Sequence, residues 1–408
     1  MFDLLRRNPS FRRLWTAHAI SRGGDWLNHT AILALIAQLG GRSGLAGAAT
    51  LFAIDVSLRF LPAALIGPFS GPAADRLPRR ALLVGADLLR ALIVLALCLV
   101  DEPGELPLLY GLVLAQVAFG AVFESARAGA LPSTVSKDDL LGALALSSAT
   151  WSVMLALGAF TGGILLEWVG VRGVFLLDAA SYLVSAAFLR RLALPPLSEK
   201  PEPFRLRDTV FLLELHRAWM HLGERGLRPM IAAKWFWSMG GGFLVMLSVV
   251  GSEQYGAQLG QGRAIAWLYA ARGVGTGFGP YMARSLAGGD QERLARMVSL
   301  SFVVGALGYF SLPLAPNFFW ACVAVAVAHL GGGALWVGST ALWQQGVSDS
   351  FRGRVHALEY LGLALFFSFW AFGSGIALDA GMSVREVMNG LCLATIIGGI
   401  LWSRLARA

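Results

Sequence analysis

Four pairs of oppositely charged residues stand three or four positions apart inside long apolar runs: Arg22 with Asp25, Asp55 with Arg59, Asp87 with Arg90, and Glu124 with Arg127. On a helix that spacing puts both members on one face. A carboxylate and a guanidinium kept away from bulk water can neutralise each other, grip a charged ligand, or exchange a proton as water access changes. The most loaded stretch is Ser21 to Thr30, where Arg22, Asp25, Asn28 and His29 interrupt the first apolar run. Gly23 and Gly24 beside Asp25 leave room for a substrate or a neighbouring helix. Asp25 is therefore the candidate for proton coupling or substrate contact, with Arg22 as its modulator and Asn28 as a hydrogen-bonding neighbour.

The elements that must position these groups are membrane helices. The chain has 408 residues, 56% hydrophobic and 14% charged, against about a quarter charged in ordinary soluble domains. Twelve apolar runs recur, near 11–40, 44–73, 81–100, 106–132, 140–166, 171–193, 229–252, 261–287, 294–314, 317–345, 354–378 and 384–405. Each is long enough to cross the hydrocarbon core as a helix. The short alternating stretches of a membrane barrel are absent, and the first run is too long for a removable signal peptide. The fold class expected is an all-α polytopic membrane protein.

Charge placement orients it. Arginines cluster before the first run and after the second, sixth, eighth, tenth and twelfth, whereas Asp101, Glu102 and Glu105 follow the third. Basic loops stay in the cytoplasm, so both termini are expected there, in an inner (plasma) membrane protein. The net charge of +8 is thereby explained without nucleic acid. The interval 195–228 begins with prolines and continues as an amphipathic stretch carrying Leu215, Trp219 and Leu222. It predicts a cytoplasmic linker with a surface helix between six-helix halves at 1–194 and 229–408. Val135-Ser136 and Val347-Ser348 recur at an offset of 212 (347 − 135), as in a duplicated transporter.

Depth, counted at about 1.5 Å per residue, places Arg22, Asp25, Asp55, Arg59 and Arg272 near the midplane as substrate or proton-coupling candidates. The same count places Asp87, Arg90, Glu124, Arg127 and Glu359 in the cytoplasmic third. Cys98, Cys322 and Cys392 lie in apolar runs and suggest neither a disulfide framework nor a metal site. No lysine follows a glycine, so there is no Gly-x-x-x-x-Gly-Lys phosphate loop. The six histidines are scattered and there is no His-Glu-x-x-His, which speaks against a membrane enzyme.

The loop Gly71-Pro72-Ala73-Ala74-Asp75-Arg76-Leu77-Pro78-Arg79-Arg80 resembles the signature loop of the major facilitator superfamily: a glycine, Asp-Arg four and five residues on, then a basic pair. Gly158 to Gly163 is similar to the antiporter motif, with Ala159 where that motif has proline. The stretches 11–32 and 174–189 resemble the branch holding enterobactin-type siderophore exporters, macrolide efflux pumps and lysophospholipid transporters. The resemblance implies twelve helices in two pseudo-symmetric six-helix bundles and a secondary transporter working by alternating access, most often an exporter. It further implies a cytoplasmic gate of Gly71, Asp75, Arg76, Arg79 and Arg80, joined by Asp87, Arg90, Glu124, Arg127 and Glu359. A small hydrophobic or amphipathic substrate, the lipid bilayer and a proton gradient are the partners expected, with no cofactor and a monomeric chain. A lysophospholipid flippase of the same fold is the alternative.

Overall fold

The computed structural model describes residues 2–43, 47–194, 211–287, 290–344, 346–347 and 349–407. The side chains at 66–76 lie outside the described part. The described residues are helical throughout, without strands. After a short helix α1 (Phe2–Arg7) come α2 (Pro9–Ser43), α3 (Ala48–Arg76), α4 (Arg79–Leu97), α5 (Leu106–Ala130) and α6 (Lys137–Arg190). Gly170, at φ 67 and ψ 179, breaks α6 into two limbs, a left-handed backbone that favours glycine. These account for the first six apolar runs.

Next come α7 (Phe211–Glu224), α8 (Arg228–Phe236) and α9 (Gly240–Val249), with Trp237 to Met239 interrupting what the seventh run predicts as one span. A short α10 (Gly256–Leu259) precedes α11 (Gln261–Ala287), α12 (Gln291–Ser311), α13 (Phe318–Gln344), α14 (Asp349–Asp379) and α15 (Val384–Leu405). Among the described residues, seven helical stretches are long and apolar enough to cross a membrane by length and composition. The other long helices, α2, α3, α4 and α11, carry Arg22 and Asp25, Asp55 and Arg59, Asp87 and Arg90, and Arg272 inside their apolar runs.

Starts and stops follow local chemistry. Ser136 accepts a hydrogen bond from the Asp139 N–H to open α6, and Ser383 with Glu386 forms a capping box on α15. Asp290 opens α12 by accepting from the Arg293 N–H at 2.8 Å, and that bond holds its carboxyl below the usual aspartate range. The cap therefore stabilises α12 above that range and is lost as pH falls through the lowered value. The protection factor of the Arg293 amide is expected to be high at neutral pH and to fall in acid as Asp290 is protonated; a pH-independent protection factor would contradict this.

The chain groups into two compact units. Unit 1 holds residues 1–35 and 62–209, and unit 2 holds 36–61 and 210–408. In this grouping 36–61 is counted with the C-terminal helices. One physical reason lies in the start of α3: the Asp379 carboxylate on α14 accepts from the Ala49 and Thr50 N–H groups at 3.2 and 3.0 Å. An acidic side chain at a helix N-terminus satisfies its unpaired donors.

In unit 1, Phe11, Leu14, Leu83, Phe123, Ala126 and Leu189 form a buried cluster joining α2, α4, α5 and α6. In unit 2, Val298, Phe302, Leu335 and Trp402 join α12, α13 and α15. α7 buries Ala218 and Leu222 against Ile231, Trp343 and Val355 of α8, α13 and α14. The preceding residues 195–210 lie outside the described part.

Candidate functional site

All four intrahelical pairs read from the sequence are present. Arg22 Nη1 lies 3.2 Å from Asp25 Oδ2, Arg59 grips Asp55 with two hydrogen bonds of 3.0 Å, Arg90 bonds Asp87, and Arg127 lies 2.7 Å from Glu124. Spacing alone does not disclose how the pairs connect. Arg22 also donates to Glu124 across the α2–α5 contact, and Arg90 reaches Asp25 at 3.6 Å from α4. The groups that depth counting separates, Arg22 and Asp25 on one side, Asp87, Arg90, Glu124 and Arg127 on the other, form one network in unit 1. Arg22 lies 13 residues from the start of α2 and Arg90 11 residues from the start of α4, about 20 and 16 Å at the helical rise, within a turn of each other.

Aromatic and hydroxyl groups complete it. The Arg90 guanidinium sits between the rings of Phe123 and Tyr182, 4.6 and 4.4 Å from their centroids, where a cation meets the negative faces of both rings. The Tyr182 hydroxyl donates to Asp25 and accepts from Gln116 Nε2 at 3.0 Å. Ser185 donates to Asp87 at 2.6 Å, and His18 Nε2 lies 3.5 Å from Glu124. Asp87 is fully buried and Arg90 is 3% exposed.

Asp178 and Tyr182, both on the second limb of α6, were not singled out by the sequence reading. Asp178 has no oppositely charged residue within four positions, and only the meeting of helix faces draws it in. Gly24 makes that meeting possible. A Cβ there would lie 2.0 Å from Ser181 Oγ and 2.3 Å from Asp178 Oδ1, whereas one at Gly23 would make only an ordinary 3.5 Å contact with Met154. Gly158 and Gly162 seat Trp26 and Thr30 in the same manner, the small-residue packing by which membrane helices approach closely. Gly24→Ala is expected to cost about 1–3 kcal/mol through overpacking, and Gly23→Ala to be neutral or slightly stabilising. Thermal unfolding in detergent compares them, and equal midpoints would contradict the close approach.

Arg79 donates to the Gly129 carbonyl at 2.7 Å, at the end of α5; Arg80 is exposed. The side chains of Gly71, Asp75 and Arg76 lie outside the described residues. Asn28 is buried beside Asp178.

Unit 2 holds two polar clusters of its own. Lys234 Nζ lies 2.7 Å from Glu359 Oε2 and donates to Thr340 Oγ1 at 2.7 Å. Trp343 Nε1 donates to the other Glu359 oxygen at 3.0 Å, and the Lys234 ammonium lies 4.5 Å from the centre of the Trp336 ring. Elsewhere, Tyr309 and His329 share a 2.6 Å hydrogen bond, Phe243 stacks on Tyr309, and Arg272 lies 5.6 Å from the centre of the Tyr269 ring. Among the described residues no group of three or more His, Cys, Asp or Glu side chains could hold a metal ion.

Comparison with known proteins gives a consistent picture. The model of the Major Facilitator Superfamily matches residues 14–378. The uncharacterized MFS-type transporter YfiS of Bacillus subtilis (strain 168) is 29% identical over 191 residues, covering 46% of this chain and 43% of YfiS. The "Putative bacilysin exporter BacE" of the same organism is 31% identical over 128 residues, covering 31% and 32% of the two chains. The match thus spans less than half the length of either relative. Two crystal structures share the fold: the nucleoside transporter NupG, with TM-score 0.71, 11% identity and coverage of 97% and 99%, and a bacterial homologue of the human lysosomal transporter Spinster. The latter gives TM-score 0.72, 14% identity and coverage of 98% and 97%.

Proposed function

Because the chain belongs to the Major Facilitator Superfamily, as a transporter and not an enzyme, we propose that it exports a small hydrophobic or amphipathic molecule in exchange for protons. The observation that carries the coupling is the buried network of unit 1. In it Asp25 stands among Arg22 of its own helix, Arg90 of α4 and the Tyr182 hydroxyl of α6. A change of protonation or ligand there alters bonds on α2, α4, α5 and α6 together, as a two-state element requires. In this reading Asp25, Arg22 and Asn28 serve proton coupling in unit 1, and Asp55, Arg59 and Arg272 are substrate-contact candidates of unit 2. Gly71, Asp75, Arg76, Arg79, Arg80 and Glu359 serve the cytoplasmic gate, and Asp87, Arg90, Glu124 and Arg127 connect gate and site. The transporter works as a monomer in the inner membrane, with six-helix bundles at 1–194 and 229–408 and both termini cytoplasmic. The likeness to BacE, a putative bacilysin exporter, supports export.

An amphipathic cargo is favoured by a cavity of about 860 Å³ within unit 2, lined by Trp219, Trp235, Phe366, Phe369 and Trp370. Arg228 lines it as well, its guanidinium 4.6 Å from the centre of the Trp219 ring and its Nε donating to the Trp219 carbonyl at 3.1 Å, and the lining is otherwise an apolar bed for a hydrophobic or amphipathic body. This same cavity supports the second reading, a lysophospholipid transporter. The test is proton release from inverted, inside-acid vesicles on addition of macrolides, lipophilic cations, siderophores or lysophospholipids. A compound that collapses the gradient only when the protein is present supports antiport. Gradient-independent movement of lysophospholipid alone would replace it with the second reading.

A further inference from the structure

We propose that Asp178, on the second limb of α6, is the residue that carries the exchanged proton; the proposal rests on the antiport reading above. Four carboxylates meet in unit 1: Asp25, Asp87, Glu124 and Asp178. Three guanidiniums face them: Arg22, Arg90 and Arg127. Three of the carboxylates are matched, since Glu124 pairs with Arg22 and Arg127, Asp87 with Arg90, and Asp25 with Arg22 and Arg90. Asp178 is the one left over. It is fully buried, and among the described residues no Arg, Lys or His nitrogen lies within 4.0 Å of its carboxyl oxygens.

Its hydrogen bonding points the same way. Oδ1 accepts only from Ser181 on its own helix, at 3.2 Å. Oδ2, without solvent contact, faces the buried Asn28 side chain, but the two make no hydrogen bond of normal geometry. An ionised carboxylate so placed would be costly. The surroundings deepen the cost: the charged or titratable groups facing Asp178 are Asp25 from α2, Arg90 from α4 and Tyr182 from its own limb, and Arg90 is already committed to Asp87 and Asp25. With one proton on Asp178 the network closes at three negative and three positive charges, and every formal charge has an opposite within 4.0 Å. His18, 3.5 Å from Glu124, is not needed for that balance.

The exchange is then a simple ionisation. The carboxylic acid releases H+ and leaves a carboxylate, and no bond other than O–H is broken. The new anion competes with Asp25 for Arg90, the nearest guanidinium. Because Arg90 also binds Asp87 and lies between Phe123 and Tyr182, its movement disturbs contacts from α2, α4, α5 and α6 at once. Protonation at one buried oxygen thereby becomes a choice between two arrangements of the bundle.

The first experiment is infrared spectroscopy of the purified protein with isotope-labelled aspartate at neutral pH. A carbonyl stretch of a protonated carboxyl is expected in the wild type and absent in Asp178→Asn; absence from the wild type, or persistence in the variant, would overturn the proposal. Asparagine has the shape of the neutral acid and cannot ionise, so Asp178→Asn is expected to unfold no lower than the wild type. A marked loss of stability would argue that the wild-type residue is ionised and also overturn it. In vesicles Asp178→Asn is expected to lose gradient-driven transport while retaining exchange of labelled substrate across the membrane. If the band is present but wild-type transport ignores the gradient, the antiport reading fails and with it the role in coupling. If transport is coupled but the band is missing, Asp178 alone is ruled out.

Discussion

Asp25→Asn is expected to reduce gradient-driven transport to background while the protein still folds. Asparagine fits the same space and its amide oxygen can still accept from Tyr182, but the negative charge between Arg22 and Arg90 is gone. Both guanidiniums keep one partner, Glu124 for Arg22 and Asp87 for Arg90. The cost should therefore fall below the roughly 3–5 kcal/mol of a buried pair broken outright. The functional loss follows from the charge count. Three guanidiniums would then face Asp87 and Glu124 alone, and Asp178 could ionise and remain ionised, so no protonation step is left to drive the cycle. Proton release in inverted vesicles measures this, and wild-type coupling in Asp25→Asn would remove Asp25 from the network's working part.

The second large effect is expected at Lys234. Lys234 and Glu359 are 1% exposed, and the pair is closed by Thr340, Trp343 and the Trp336 ring. Lys234→Met leaves a buried carboxylate facing a methyl group, and a loss of about 3–5 kcal/mol in unfolding free energy is expected. The double variant Lys234→Met/Glu359→Leu removes both charges and is expected to recover most of that loss, since apolar replacement of a whole buried pair is often neutral. Unfolding of the single and double variants in detergent makes the comparison. A single variant as stable as the wild type would mean that His356, 3.7 Å from Glu359, or water takes the place of Lys234.

The contrast between these sites explains what the sequence discloses. Helices, the breaks between them and the four intrahelical pairs depend on residues a few positions apart, so hydropathy, caps and spacing disclose them. The resemblance carried by Gly71 to Arg80 points to the family by the same local means. Contacts between helices depend on which faces meet. Arg22 to Glu124 spans 102 residues and Tyr182 to Asp25 spans 157, and nothing near either residue announces its partner. Asp178 is the sharpest instance. No opposite charge stands near it in Val174 to Leu189, and the described fold brings none within 4.0 Å of its carboxyl oxygens.

Lysine is rare here: Lys137, Lys200 and Lys234 are the whole complement in 408 residues, and arginine carries the other basic positions. Amine-acylating reagents modify lysine and the chain terminus but leave guanidiniums untouched under mild conditions. The enclosed ammonium of Lys234 is therefore a natural reporter needing no engineered label. Its acylation rate, followed by peptide mass with substrate present or absent, would time how often the pocket around Glu359 opens to water.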